Sequence, residues 1–381
     1  MKIYQTNNNN NIMKNLPKII ALYLPQFHRI PENDKFWGEG FTDWVTVKKA
    51  KPLFEGHQQP RVPLNDNYYD LSQKENVAWQ AKLAKEYGIH GFGIYHYWFN
   101  NEQNLLTKPS EIIRDNDDID INYCFVWDNA SWKRSWSNVA GNAWAPIADG
   151  KEHKGPQILI EHILGGEKDW ENHFNYLLTH FKSNKYIKVD NKPVFCIYGP
   201  NENIYQMCEY WDRLAKQAGF DGIHIVYQCG GHNDIPNTYH TYKYEPHSSS
   251  WYDKGLLCKI QDKLFKYSHL TPELTFYDYD SIWTKLLKKA SRDTNHNVYF
   301  GAFAHYDDTP RRGRHGGKIV KGSTPEKFEK YFSDLVQISS SQNKDFIFLT
   351  AWNEWGEGAY IEPDTIYGYK YLEAVRKSID N

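Results

Sequence analysis

Two carboxylates three residues apart, Glu354 and Glu357, sit inside the run FIFLTAWNEWGEGAYIEPD at residues 346–364. Trp352 and Trp355 bracket the first, Gly356 and Gly358 the second, and Asn353 stands just before the pair. Making or breaking a glycosidic bond needs one group that gives or takes a proton at the leaving oxygen. It needs a second group that acts on the other side of the ring. Indole faces stack on the apolar faces of pyranose rings and keep water away, which lifts a carboxyl pKa towards the working pH. A Glu pair on a loop is more commonly just solvated. The apolar run ahead of this one and the rings around it favour a functional site.

The pair needs a scaffold, and the chain reads as strand and helix in alternation. Strands are expected at 18–24, 91–98, 121–127, 193–198, 224–228, 239–244, 298–305 and from 346. Helices are expected at 72–87, 108–116, 168–181, 204–217, 279–291, 324–339 and 367–379. Ser72 is placed to cap the first helix, with Glu75 at the capping-box position. Thr324 followed by Pro325 opens another in the same manner. Nearly continuous apolar strands belong to a parallel sheet covered on both faces. Eight such units in 381 residues imply an α/β fold, the (β/α)8 or TIM barrel, with long loops after its strands. An open nucleotide-binding sheet is the rival, but Pro25 stands where its glycine-rich turn would begin. Residues 1–17, with an Asn run at 7–11, read as a disordered tail, leaving 18–381 as the barrel domain.

A barrel of this kind carries its chemistry at the C-terminal ends of the strands. Read in order, those ends offer Tyr23 and Gln26; Tyr95, His96 and Trp98; Asp128 and Asn129; Tyr198; Tyr227; Tyr244 and Glu245; His305 and Tyr306; then Trp352 and Asn353. Loops add His28, Trp37, Glu39 and Trp44 after the first strand and Trp132 after the third. Any one of these rings is more simply a packing residue. Their recurrence at strand ends suggests a cleft lined by rings and hydrogen-bonding groups. His96 has no partner at ligand spacing, so a hydrogen-bonded imidazole is preferred to a metal ligand. No metal site or cofactor is expected. Arg311, Arg312 and Arg314 form the best anion site in the chain, on what otherwise reads as a solvated loop.

Composition excludes several partners. A net charge of −2 provides no field for nucleic acid or an anionic membrane. Aromatic residues make up 16%, with 14 Trp and 28 Tyr, more than packing needs and well suited to stacking on sugars. The five cysteines are odd in number and lack CxxC spacing. With no apolar leader and no run of eighteen apolar residues, the expectation is a reduced cytoplasmic protein without a transmembrane segment.

Three blocks carry a family resemblance: ALYLPQFHRIPENDKFWGEGFTDWVTV at 21–47, GFGIYHYWF at 91–99 and TAWNEWGEGAYIEPD at 350–364. Together they resemble the WbsX-type proteins, named as glycosyltransferases of surface-polysaccharide clusters. These in turn look like relatives of glycoside hydrolase family 99, the endo-α-mannosidases and endo-α-mannanases. The resemblance implies a metal-free (β/α)8 barrel acting with retention on an oligo- or polysaccharide, lipid-linked where the glycan is being assembled. Its E-W-x-E-G motif falls on Glu354, Trp355, Gly356, Glu357 and Gly358. By that likeness Glu354 would take the proton of the substrate's own 2-hydroxyl and Glu357 would serve the leaving oxygen. The chain departs from the hydrolase pattern at Gly356, where His is common, which bears on the leaving-group subsite. A nucleotide-sugar transferase with the Arg311–Arg314 loop on a diphosphate is the alternative. A non-catalytic glycan-binding barrel is a third, which would not need two carboxylates among its rings.

Overall fold

The computed structural model describes residues 16–134, 157–229, 235–236, 238–251, 273–314 and 316–380. Most of the expected tail, through residue 15, lies outside them.

Eight parallel strands close on themselves. They are β1 (Lys18–Tyr23), β2 (Gly91–Asn100), β3 (Asn122–Trp127), β4 (Lys192–Ile197), β5 (His224–Cys229), β6 (His240–Lys243), β7 (Val298–Phe303) and β8 (Phe346–Thr350). Each pairs in parallel with its neighbour in sequence, and β8 returns to β1 with Ile20 opposite Phe348. The barrel expected from the apolar runs is therefore closed. Its strands read as unbroken hydrophobic stretches because one face fills the barrel and the other meets the helices. Phe346–Thr350, for example, is buried at every position. Across the interior, the rings of Tyr242 and Phe348 stack at 4.4 Å. Gly301 on β7 allows β6 to approach, since a Cβ there would lie 1.9 Å from the Lys243 carbonyl oxygen.

Helices follow most strands, as the pattern expected. Thr324 caps Pro325–Ser341 by accepting from the Lys327 N–H at 3.3 Å. Asn201 caps Glu202–Gln217 and Asp278 caps Tyr279–Arg292 in the same way. The expected cap at Ser72 does not form. Asp70 takes the Ser72 N–H at 2.8 Å, and that local turn delays the helix to Lys74–Glu86, with Gln73 at the cap position. Among the described residues no helix joins β5 to β6.

The long loops over the C-terminal mouth carry structure of their own. Gln103–Leu105 folds back on β2, Trp132–Arg134 pairs with Gln157–Ile160, and Thr275–Asp278 pairs with Lys318–Lys321. Two small apolar clusters pin these loops. One centres on Tyr97, Phe99 and Leu105, the other on Trp37 and Phe41.

Candidate active site

β8 delivers the two glutamates. After Thr350 the chain runs through a two-residue bridge, Asn353–Glu354 paired with Ala359–Tyr360, and a short 3-10 turn at Trp355–Glu357. Asn353 fixes this turn to β1: its Oδ1 accepts the Leu24 N–H at 2.7 Å and its Nδ2 donates to the Leu24 carbonyl at 3.0 Å. Both glutamates border a cleft of about 530 Å3 at the mouth of the barrel.

Arg311 lies between them. Its Nη2 donates to Glu354 Oε2 at 2.8 Å and its Nη1 to Glu357 Oε1 at 2.8 Å. The same Nη2 reaches Asp43 Oδ2 at 3.3 Å, and that oxygen also accepts the Gly356 N–H at 3.2 Å. Oε2 of Glu357 is enclosed with no hydrogen-bond partner. Burial drives the Glu354 carboxyl up to about 8, against the pull of Arg311 and with the help of Glu357 and Asp43. Burial also lifts Asp128, across the cleft, to about 6.

The cleft walls come from many elements. Gln26, Trp37, Tyr95, Asp128, Trp132, Tyr198 and Tyr244 line it, as expected from sequence. Tyr97, His247, Trp251, Asp308 and Lys318 line it too, none of them expected at the substrate, and so does Arg312, expected only as part of an anion site.

Residues 19–375 match the family described as "Glycosyltransferase WbsX". The chain belongs to that family. Two curated relatives, both described as uncharacterized protein WxcX of Xanthomonas campestris pv. campestris, are 29% and 30% identical over 369 residues. The match takes in 95% of this chain and 49% of theirs, so the chain spans about half the length of the curated relatives it matches. Among solved structures, the GH99 endo-alpha-mannosidase of Bacteroides thetaiotaomicron overlays with a TM-score of 0.55 at 12% identity, covering 95% of this chain and 96% of that one. A protein described as glycoside hydrolase-like also gives 0.55, at 11% identity over 99% of this chain and 96% of its own. The chain is thus a WbsX-family protein with a GH99-like barrel fold.

Several residues expected at the substrate lie elsewhere in this WbsX barrel, mostly because strand side chains alternate. On β2, Tyr95 and Tyr97 face the cleft. Between and beyond them, His96 bonds His173 through the two Nε2 atoms at 2.8 Å, and Trp98 stacks on His173 at 4.4 Å. On the same principle Tyr244 faces in, while Glu245 turns away and accepts from the Ser249 hydroxyl at 2.7 Å. Tyr227 points to Cys208 at 3.5 Å. His305 and Tyr306 are buried beside the cleft, His305 against the Gly358 carbonyl. His28 is buried, Glu39 is exposed and pairs with Arg29, and Asn129 ties its loop to Gly199. Trp352 is enclosed against Phe92.

Three more form a support beneath the turn that carries Glu354 and Glu357. Trp355 stacks on Tyr360 at 3.7 Å, and Trp44 packs against Trp355 at 5.4 Å. The Trp355 indole N–H donates to Glu362, which also accepts from Tyr69 and Gln80, each at 2.7 Å. Tyr23 closes the chain by donating to Gln80. Glu362 lay in the opening sequence run, but a lone Glu after a turn carries no signal of burial. Arg311, expected on a solvated loop, is buried instead, because three carboxylates converge on it. Arg314 pairs with Glu273 and the Leu53 carbonyl.

The four described cysteines are free thiols, and Cys258 lies outside the described residues. Among the described residues no helix is long and apolar enough to cross a membrane.

Proposed function

We propose that this enzyme cleaves or transfers an α-linked, mannose-like glycosyl unit with retention, using the substrate's 2-hydroxyl as the internal nucleophile. Glu354 takes the proton of the 2-hydroxyl. The freed 2-oxygen closes on the anomeric carbon as the bond to the leaving oxygen breaks, and Glu357 protonates that oxygen. A 1,2-anhydro sugar results. In the return half, water or a sugar hydroxyl gives its proton to Glu357 and attacks the anomeric carbon. The 2-oxygen then recovers its proton from Glu354.

The observation that carries this reading is the union of both glutamates through one guanidinium at the rim of a ring-lined cleft. A buried carboxyl with raised proton affinity suits a base that must act on a weakly acidic hydroxyl. Glu357 has one oxygen held by Arg311 and the other, Oε2, without a partner, so a proton has a defined place from which to leave. The family and the free thiols support a setting in cytoplasmic assembly or trimming of a surface polysaccharide such as O-antigen or capsule, with a lipid-linked glycan as substrate.

The nucleotide-sugar reading draws support from the family's description as a glycosyltransferase. It has less in the site, since Arg311 is committed to carboxylates and Arg314 to Glu273. Turnover of a panel of aryl α-glycosides and oligosaccharides by wild type and Glu357→Gln tests the leading reading. Loss of the acid should cost about 10²–10⁴-fold. The loss should be greatest for poor leaving groups. Unchanged turnover would remove Glu357 from the mechanism, and tight calorimetric binding of a nucleotide sugar would favour transfer from that donor.

A further inference from the structure

Two carboxylates facing one dry cleft should repel, and one should hold its proton far into the alkaline range. In this site the repulsion is managed by a group from another loop. Arg311 sits on the short segment Thr309–Arg312 that follows β7, and Asp307 steadies the start of that segment by accepting from the Thr309 N–H at 3.1 Å and its hydroxyl at 2.6 Å. A guanidinium is planar, permanently charged and fixed in its fork, so two oxygens bound to its two Nη atoms are held at a set separation. The oxygens so bound are one from Glu354 and one from Glu357. Asp43, from the loop after β1, holds the same guanidinium and the Gly356 N–H. The fork is therefore tied to the backbone of the turn it serves. The space it fills exists only because position 356 has no side chain: a Cβ there would lie 2.5 Å from Arg311 Nε and 2.7 Å from Asp43 Oδ2.

We propose that Arg311, anchored by Asp43 and admitted by the bare Gly356, is the positioning residue that sets both the spacing and the proton distribution of the Glu354–Glu357 pair. The inference rests on the two-glutamate reading for its catalytic meaning but not for its electrostatics. With one of the three carboxyls protonated, the cluster keeps one net negative charge beside the anomeric centre, where positive charge develops as the leaving bond stretches. Among the described residues the hydroxyls of Tyr95, Tyr97 and Tyr244 also act on Glu354; burial pushes their pKa values upward, so they remain neutral across the working range.

Carboxyl carbon NMR of isotopically labelled Glu, with the Glu354 signal assigned through Glu354→Gln, reads this without substrate. Replacing the cation, Arg311→Met, should raise the Glu354 midpoint by about one pH unit or more, and Arg311→Lys should recover part of the shift. Removing the anchor's charge, Asp43→Asn, should move it the other way. Shifts of opposite sign are not what loosened packing produces. An unmoved midpoint in both variants, or shifts of the same sign, overturns the proposal. If Arg311→Met does not fold, Arg311→Lys and Asp43→Asn decide the matter. On any glycoside whose turnover Glu357→Gln abolishes, Arg311→Met should lower kcat more than tenfold, move the rising limb of the pH–rate profile to higher pH and leave KM nearly unchanged. A wild-type enzyme that turns over no glycoside would count against the two-glutamate reading, while the titrations would still decide the role of Arg311.

Discussion

Gly356 and Arg311 compete for one volume, in which a Cβ on the first would stand 2.5 Å from Nε of the second. Gly356→Ala must therefore displace a guanidinium held by three carboxylates. Overpacking of a close-packed site costs about 1–3 kcal/mol. Displacing the fork also misplaces both glutamates, and an error of about 1 Å in a catalytic group can cost about 10²-fold in rate. Gly356→Ala should thus lower kcat far more than it lowers the denaturation midpoint. In a double-mutant cycle the cost of Gly356→Ala should shrink in an Arg311→Ala background, because the tighter of its two clashes is gone and only the 2.7 Å approach to Asp43 Oδ2 remains. Additive costs in urea denaturation would contradict the shared volume.

On the two-glutamate reading, the proton affinity of Glu354 sets the pH dependence. Burial raises its carboxyl to about 8 in the free enzyme. A base works only when ionised, so kcat/KM should climb as pH rises through that region and level off above it. A profile of kcat/KM against pH for the wild type checks this. A rising limb near pH 4.5, the ordinary range of a glutamate, would mean that Glu354 is not the base or that its cluster opens when substrate enters.

Tyr198 offers a test of sugar stacking at little structural cost. It follows β4 at the cleft edge and is 44% exposed, the most open ring among those lining the mouth. An aromatic contact of this kind is worth about 1 kcal/mol, which corresponds to about a fivefold change in KM. Tyr198→Ala should raise KM by that order and leave kcat and the melting temperature nearly unchanged. Trp37→Ala should do more damage to both, because Trp37 is buried and packs on Phe41 at 6.0 Å.

Legibility in the sequence followed burial. The barrel could be read because strands covered on two faces must be apolar throughout, as in 91–98 or 346–349, and all eight strands fall within a residue or two of the expected spans. The glutamate pair could be read because it comes directly off such a strand, between indoles. What failed was orientation. His96, Glu245 and Tyr227 sit at strand ends but on outward-facing positions, and only the alternation Tyr95–Tyr97 would have sorted them, had a first inward residue been known. Arg311 failed for a different reason. In DDTPRRGRHGG nothing local distinguishes a buried cation from a solvated one, because its partners Asp43, Glu354 and Glu357 are distant in the chain.

Glu362 should leave a signature in stability. Its carboxylate accepts from Tyr69, Trp355 and Gln80, yet burial raises its pKa to about 7 from the ordinary 4.5, with those three hydrogen bonds opposing. A carboxyl whose folded pKa exceeds its unfolded one contributes stability that is fully present below about 4.5. Between pH 4.5 and 7 the unfolded chain has already released the proton while the folded protein keeps it, so stability drains away as pH rises; above about 7 this group adds no further slope. Glu362→Gln cannot ionise, and it turns an amide N–H towards groups that now donate, at a cost of about 1–3 kcal/mol. Urea denaturation of both proteins at intervals from pH 5 to 8 should show the variant less stable throughout and its curve flatter across that window. Parallel curves would mean that Glu362 ionises at its ordinary pKa, and that the support under Trp355 and the turn carrying the two glutamates is a charged one at all working pH values.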